Sequence, residues 1–168
     1  MSFSPADFGP VFAELLDVDR LRDLDEGSPQ QTNHKRLQSL SIEQAFAHVR
    51  VVDNDHARCC LSAIWLLYDF LEDSHAISQG VATAEGSFWH GIMHRREGDY
   101  SNAKYWFRKV GQHPVYAQLA DDWDPHVFVD ACQAALRDGG DDAARCRQLQ
   151  QQEWEQLFEY CFDRAIAG

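Results

Sequence analysis

The stretch SFWHGIMHRREGDYSNAKYWFRKV, Ser87 to Val110, decides how this chain is read. Gly98 interrupts an otherwise helical pattern, and Asp99 or Ser101 is suited to start a second helix. Two helices joined by so short a turn pack as antiparallel neighbours. The stretch therefore predicts a helical hairpin, one helix from about Thr83 to Arg96 and the next running to Val110.

Working outward, the same period continues in both directions. A first helix is expected over Pro10 to Asp17, with Phe12, Leu15 and Leu16 on one face. DEGSPQQTNHK, rich in Gly, Ser, Pro and polar residues, reads as an exposed, flexible linker near residues 25–38. Ser41 with Gln44 three positions on has the form of a capping box, for a helix through about Val49. Asp53 or Asn54 can cap a long helix to Gln79, whose buried face runs from Ala57 through Leu71 to His75. After the hairpin, His113-Pro114 precedes a short helix over Val115 to Ala120. Asp124-Pro125 opens another to Arg137, and Asp141 or Asp142 a last one to about Ala165. HVRVVD, His48 to Asp53, is the one strand-like run. The expected fold is a single all-α domain over residues 1–168: an antiparallel helical bundle or short solenoid of about seven helices.

The hairpin also resembles a tetratricopeptide repeat, over about one repeat near residues 83–114. Gly91 and Ala103 stand at the small positions of its two helices, Gly98-Asp99-Tyr100 at its turn, Phe107 at an aromatic position and Pro114 near its end. The stretch is similar to uncharacterised bacterial proteins with an H-R-x-E-G-D-x-x-N-A-x-Y-W signature, a resemblance that brings no activity with it. It implies a concave face lined by the first helix, with Phe88, Ile92 and Arg95 or Arg96 directed toward a groove. It departs from the usual repeat at His90 and His94, where leucine-like and aromatic residues are customary.

Those histidines are spaced i, i+4 and share a helix face. Buried imidazoles need partners or lose about 1–3 kcal/mol each. Glu72 and His75 form an E-x-x-H pair on the preceding helix, a pattern of carboxylate-bridged di-iron bundles, but the second such pair is missing. His75, His90, His94 and Glu72, or Glu85 in its place, could hold one divalent transition metal if the two helices pack side by side. The structural alternative satisfies His90 and His94 with Glu97, Tyr100 or Tyr105.

Between Gly86 and His113 five bases, Arg95, Arg96, Lys104, Arg108 and Lys109, face only two acids, Glu97 and Asp99. A positive patch in a negative chain concentrates anions, and arginine clamps carboxylate or phosphate in bidentate fashion. His90, His94, Arg95, Arg96, Lys104 and Arg108 are the candidate contacts for an anionic small molecule or acidic peptide. Arg95 and Arg96 also suit the end of a helix dipole. Trp89, Tyr105 and Trp106 could stack a sugar or base, but aromatics at helical spacing more often belong to a core.

The formal charge of −12 over 168 residues excludes a general nucleic-acid binder and electrostatic attachment to an anionic membrane. The opening residues have neither a basic nor a long apolar region, so no signal peptide is read. Five cysteines without a C-x-x-C give no disulfide framework or zinc ribbon. Buried reduced thiols, and a cytoplasmic protein, are expected. No nucleophile elbow, phosphate loop or dinucleotide fingerprint is present. The leading expectation is a non-enzymatic binding or scaffold module. The rivals are a small metal-dependent enzyme using His90 and His94, and a structural subunit with a buried polar network.

Overall fold

A computed structural model describes residues 3–167, and among these every regular element is helical. A 3-10 turn, Pro5–Phe8, leads into α1 (Pro10–Leu16). Then come α2 (Gln31–Gln38), α3 (Ile42–Ala45), α4 (Asn54–Leu67) and α5 (Leu71–Ser78). The hairpin of α6 (Ala84–Glu97) and α7 (Tyr100–Val110) follows. The chain closes with α8 (Pro114–Leu119), α9 (Pro125–Asp138) and α10 (Gly140–Ile166). The all-α class is as expected, and HVRVVD forms no strand.

The caps explain most boundaries. Ser41 and Gln44 make the reciprocal capping box, although α3 stops at Ala45 rather than near Val49. Asp53, Thr83, Asp99 and Asp124 each accept backbone N–H bonds at the start of their helices. Gly98 ends α6 with φ 86°, a left-handed conformation that glycine takes without a Cβ clash.

Two expectations are corrected. The helix from Asp53 to Gln79 is two helices, broken at Tyr68–Phe70, where Asp69 has φ 64°. The left-handed residue turns the chain and brings α5 back against α4 and α6. Residues 25–38 are also not all linker. Their second half is α2, which buries Leu37, and the first half is tied to the body by the contacts described below.

The core lies where α10 crosses α4, with α1 and α3 beside it. Phe12, Phe46, Phe158 and Phe162 meet there, mostly edge to face with centroids 5.1–5.9 Å apart, the favoured geometry for aromatic pairs. α6 is the central helix. Every residue from Glu85 to Arg96 is buried, packed against α4, α5 and α7 and touching α10 through Trp89 on Trp154 and Arg95 on Glu153. Its fit with α7 is close: a Cβ on Gly91 would lie 3.1 Å from the Phe107 ring. A helix buried on all sides is normally apolar. This one carries a glutamate, two histidines and two arginines, and the partners of those side chains define the site.

Candidate metal centre

His90 and His94 project from one face of α6 toward α5, where His75 meets them. The His75 ring stands edge-on to both, at centroid distances of 4.6 and 5.4 Å. His90 and His94 are nearly parallel at 4.6 Å. Their ligand nitrogens all lie within 4.8 Å of one another. Tetrahedral zinc with Zn–N bonds of about 2.0–2.1 Å needs N···N separations of about 3.4 Å. The imidazoles would have to turn to reach that separation. The α4–α5 break makes this possible, because it sets α5 against α6 with His75 level with both imidazoles.

His90 is the best-defined of the three. Trp106 of α7 stacks on its ring at 3.9 Å and 15° and fixes its plane, and Lys109 lies over the Trp106 ring at 4.3 Å. His90 is 2% exposed, and its Nδ1 has no hydrogen-bond partner among the described residues. Burial, reinforced by His94, His75 and Lys109, lowers its pKa to about 3. The ring is therefore neutral, the form in which a nitrogen lone pair can bind metal.

His94 has partners on both edges. Its Nδ1 lies 2.5 Å from Glu97 Oε1, so Nδ1–H donates to the carboxylate and Nε2 carries the lone pair. The Asn102 side-chain amide approaches that Nε2 at 3.1 Å. A carboxylate behind an imidazole is the usual outer shell of a histidine metal ligand, fixing its tautomer and raising its basicity. Glu97 and Asp99 also converge on His94 from the exposed side.

Other expected site residues fall elsewhere. Glu72 is exposed and does not converge with the imidazoles. Glu85 faces the opposite way and accepts from His113 Nε2 at 3.4 Å, with His56 Nε2 at 3.6 Å. His113 Nδ1 accepts from the Val115 N–H, which leaves the ring proton on Nε2 to meet Glu85. Burial alone would raise the Glu85 pKa. The bonds from His113, its own backbone and Thr83, with the charge of His56, bring it down to about 2.

Arg95 and Arg96 do not face a groove, and neither do Phe88 and Ile92; all four are at most 2% exposed. Arg95 makes a bidentate pair with Glu153 of α10, at 3.2 and 2.6 Å, and its guanidinium lies 4.6 Å over the Phe128 ring. Burial works against the Arg95 charge, but Glu153 outweighs it and the pKa rises. Arg96 donates to the carbonyls of Asp25 and Leu66 and to Asp69 Oδ1 at 2.7 Å. It thus satisfies the end of α4, secures the left-handed Asp69 and ties down the segment before α2. Here burial outweighs Asp69 and lowers the pKa. Lys104 pairs with Asp130 at 2.6 Å, and Arg108 is exposed. Trp89 is buried, whereas Tyr105 is 45% exposed.

Sequence reasoning missed Asn102 and the placement of Trp106. The spacings from His94 to Asn102 and from His90 to Trp106 were the available signal, since equal position sums pair residues across an antiparallel hairpin. All five cysteines are buried and free. No described helix is long and apolar enough to cross a membrane. No family model, curated protein or solved structure matches this chain.

Proposed function

We propose that the chain is a non-enzymatic helical binding module whose ligand is a divalent transition metal held by His75, His90 and His94. The observation that carries this reading is the convergence of three imidazoles on one point, with the buried Nδ1 of His90 left without a partner among the described residues. Nitrogen-only donors suit zinc, copper, nickel or cobalt rather than magnesium or calcium. Metal at His94 Nε2 would displace the Asn102 N–H. A half-turn of that amide would instead present its oxygen toward the ion. In this reading α6 and α7 form a tetratricopeptide-like unit, supported by Gly91 against Phe107, the left-handed Gly98 and the buried Ala103.

Three protein nitrogens leave a fourth position open, as catalytic zinc sites do. That count favours a metal-dependent enzyme as the second reading. An anionic small molecule or acidic peptide is less well supported, because Arg95 and Arg96 are committed to Glu153 and Asp69.

Calorimetric titration of zinc into metal-free, untagged protein tests the proposal. One ion per chain is expected. At 100-fold excess over Kd the native state gains about 2.7 kcal/mol, which raises Tm by about 5–10 °C. His75 is half-buried, so His75→Ala should keep the fold and lose most of both effects. Equal zinc binding by the wild type and His75→Ala would overturn the assignment.

A further inference from the structure

A second feature lies on elements that carry none of the three imidazoles, α9 and α10. α9 and the first half of α10 form a hairpin with a cleft of about 540 Å³ on its outer face. That volume falls within the range of small-molecule sites, about 300–1,000 Å³. Its floor is apolar: Trp123, Phe128, Ala131, Ala135 and Leu149. The alanines make the trough, since a larger side chain at either position would fill it. Val127, on the wall, is 64% exposed. Phe128 cannot swing away, because Arg95 stacks beneath its ring at 4.6 Å and Trp123 packs beside it at 4.8 Å. The floor is held by the buried Arg95–Glu153 pair and exists before any ligand arrives.

Charge is distributed unevenly around this floor. Asp122 and Asp124 stand at one end of the cleft, Asp138 and Asp142 at the other, and Arg145 is the one cation in the lining. Asp138 is bonded to Arg137 through both oxygens, and Asp124 uses Oδ1 to cap α9. Asp122 and Asp142 are exposed carboxylates beside an apolar trough. Trp123, at the Asp122 end, has an indole N–H without an acceptor among the described residues. An apolar body would bury against the floor, and an ammonium group would meet carboxylates at either end. An anion would meet four aspartates.

We infer that this cleft binds a small apolar cation, of the aryl- or alkyl-ammonium class, with its hydrocarbon on Phe128, Ala131 and Leu149 and its ammonium against Asp122 or Asp142. The site is independent of the metal centre, and its success or failure says nothing about the imidazoles.

Titration of ¹⁵N-labelled full-length protein with 3-phenylpropylammonium, its neutral alcohol analogue and 4-phenylbutanoate tests the inference. The Trp123 indole resonance is assigned by comparison with Trp123→Phe. The cation should shift that resonance and the amides of Ala131 and Leu149, with at least about tenfold higher affinity than the alcohol, and the carboxylate should shift nothing there. Asp122→Asn with Asp142→Asn should bring the cation down to the alcohol's affinity. Ala131→Phe, at an exposed helix position, should fill the trough and abolish the shifts while leaving Tm unchanged. Equal binding of cation and alcohol, shifts spread over the acidic surface outside the cleft, or unaltered binding to Ala131→Phe would each overturn the inference. So would binding of a three-turn Leu/Lys helical peptide to these residues without binding of the amine, which would make the cleft a peptide groove.

Discussion

Arg95 and Glu153 show how much a single buried pair decides. Both are 0% exposed, and their bidentate contact joins the central helix to the longest one. Removing one partner from such a pair leaves an uncompensated charge and typically costs about 3–5 kcal/mol, whereas replacing both with apolar groups is far cheaper. Glu153→Ala should therefore lower the unfolding free energy by about 3–5 kcal/mol in urea titration. The double variant Arg95→Met, Glu153→Leu should lose less than the single one. A double variant as unstable as Glu153→Ala would show that the charges themselves hold α6 to α10. The two arginines were read from sequence as surface cations. Their partners lie 58 and 27 residues away, and nothing local signals such a pairing.

At the scale of the element, the α6–α7 hairpin is where sequence and structure agree most closely. Gly91 belongs to a helix, where alanine is normally favoured by about 1 kcal/mol. Here an added Cβ meets Phe107, itself 1% exposed and unable to retreat freely. Overpacking of this kind costs about 1–3 kcal/mol, so Gly91→Ala should destabilise by about 1 kcal/mol net in chemical denaturation. A stabilised variant would contradict the close packing. The hairpin was legible because glycine, the Asp99 cap and the helical period all point the same way. The break at Tyr68–Phe70 was not, because no Gly or Pro marks it. Asp69 takes the left-handed conformation under the hold of Arg96 and the Ser28 N–H, both distant in sequence. The 25–38 segment was misread for a related reason. Its composition is polar, and α2 is anchored by the buried Leu37 and by His34 against Trp65 and Phe70. The imidazole face was legible from the i, i+4 spacing, and His75 from its place one turn beyond Leu71. That Glu72 stands outside the cluster depends on the rotation of α5, which only the break sets.

For the whole molecule, acid should be destabilising through Glu85. Its carboxyl titrates near 4.5 ordinarily and at about 2 in the fold, where His113 and His56 enclose it. The unfolded chain takes up that proton first as pH falls. The contribution of Glu85 is complete above about pH 5, erodes between 4.5 and 2, and is gone below that. Urea midpoints of Glu85→Gln should accordingly fall less steeply than those of the wild type between pH 5 and 2.5; parallel curves would remove Glu85 from the account. The same bundle that encloses Glu85 on one side of α6 aligns three imidazoles on the other, and that alignment is the centre of the functional reading. X-ray absorption at the zinc edge of the stoichiometric complex tests it most directly. The account predicts a shell of about 2.0–2.1 Å containing three imidazole nitrogens, and a loss of that shell in His75→Ala at the same zinc and protein concentrations. A shell of oxygens alone, or one unchanged by His75→Ala, would contradict it.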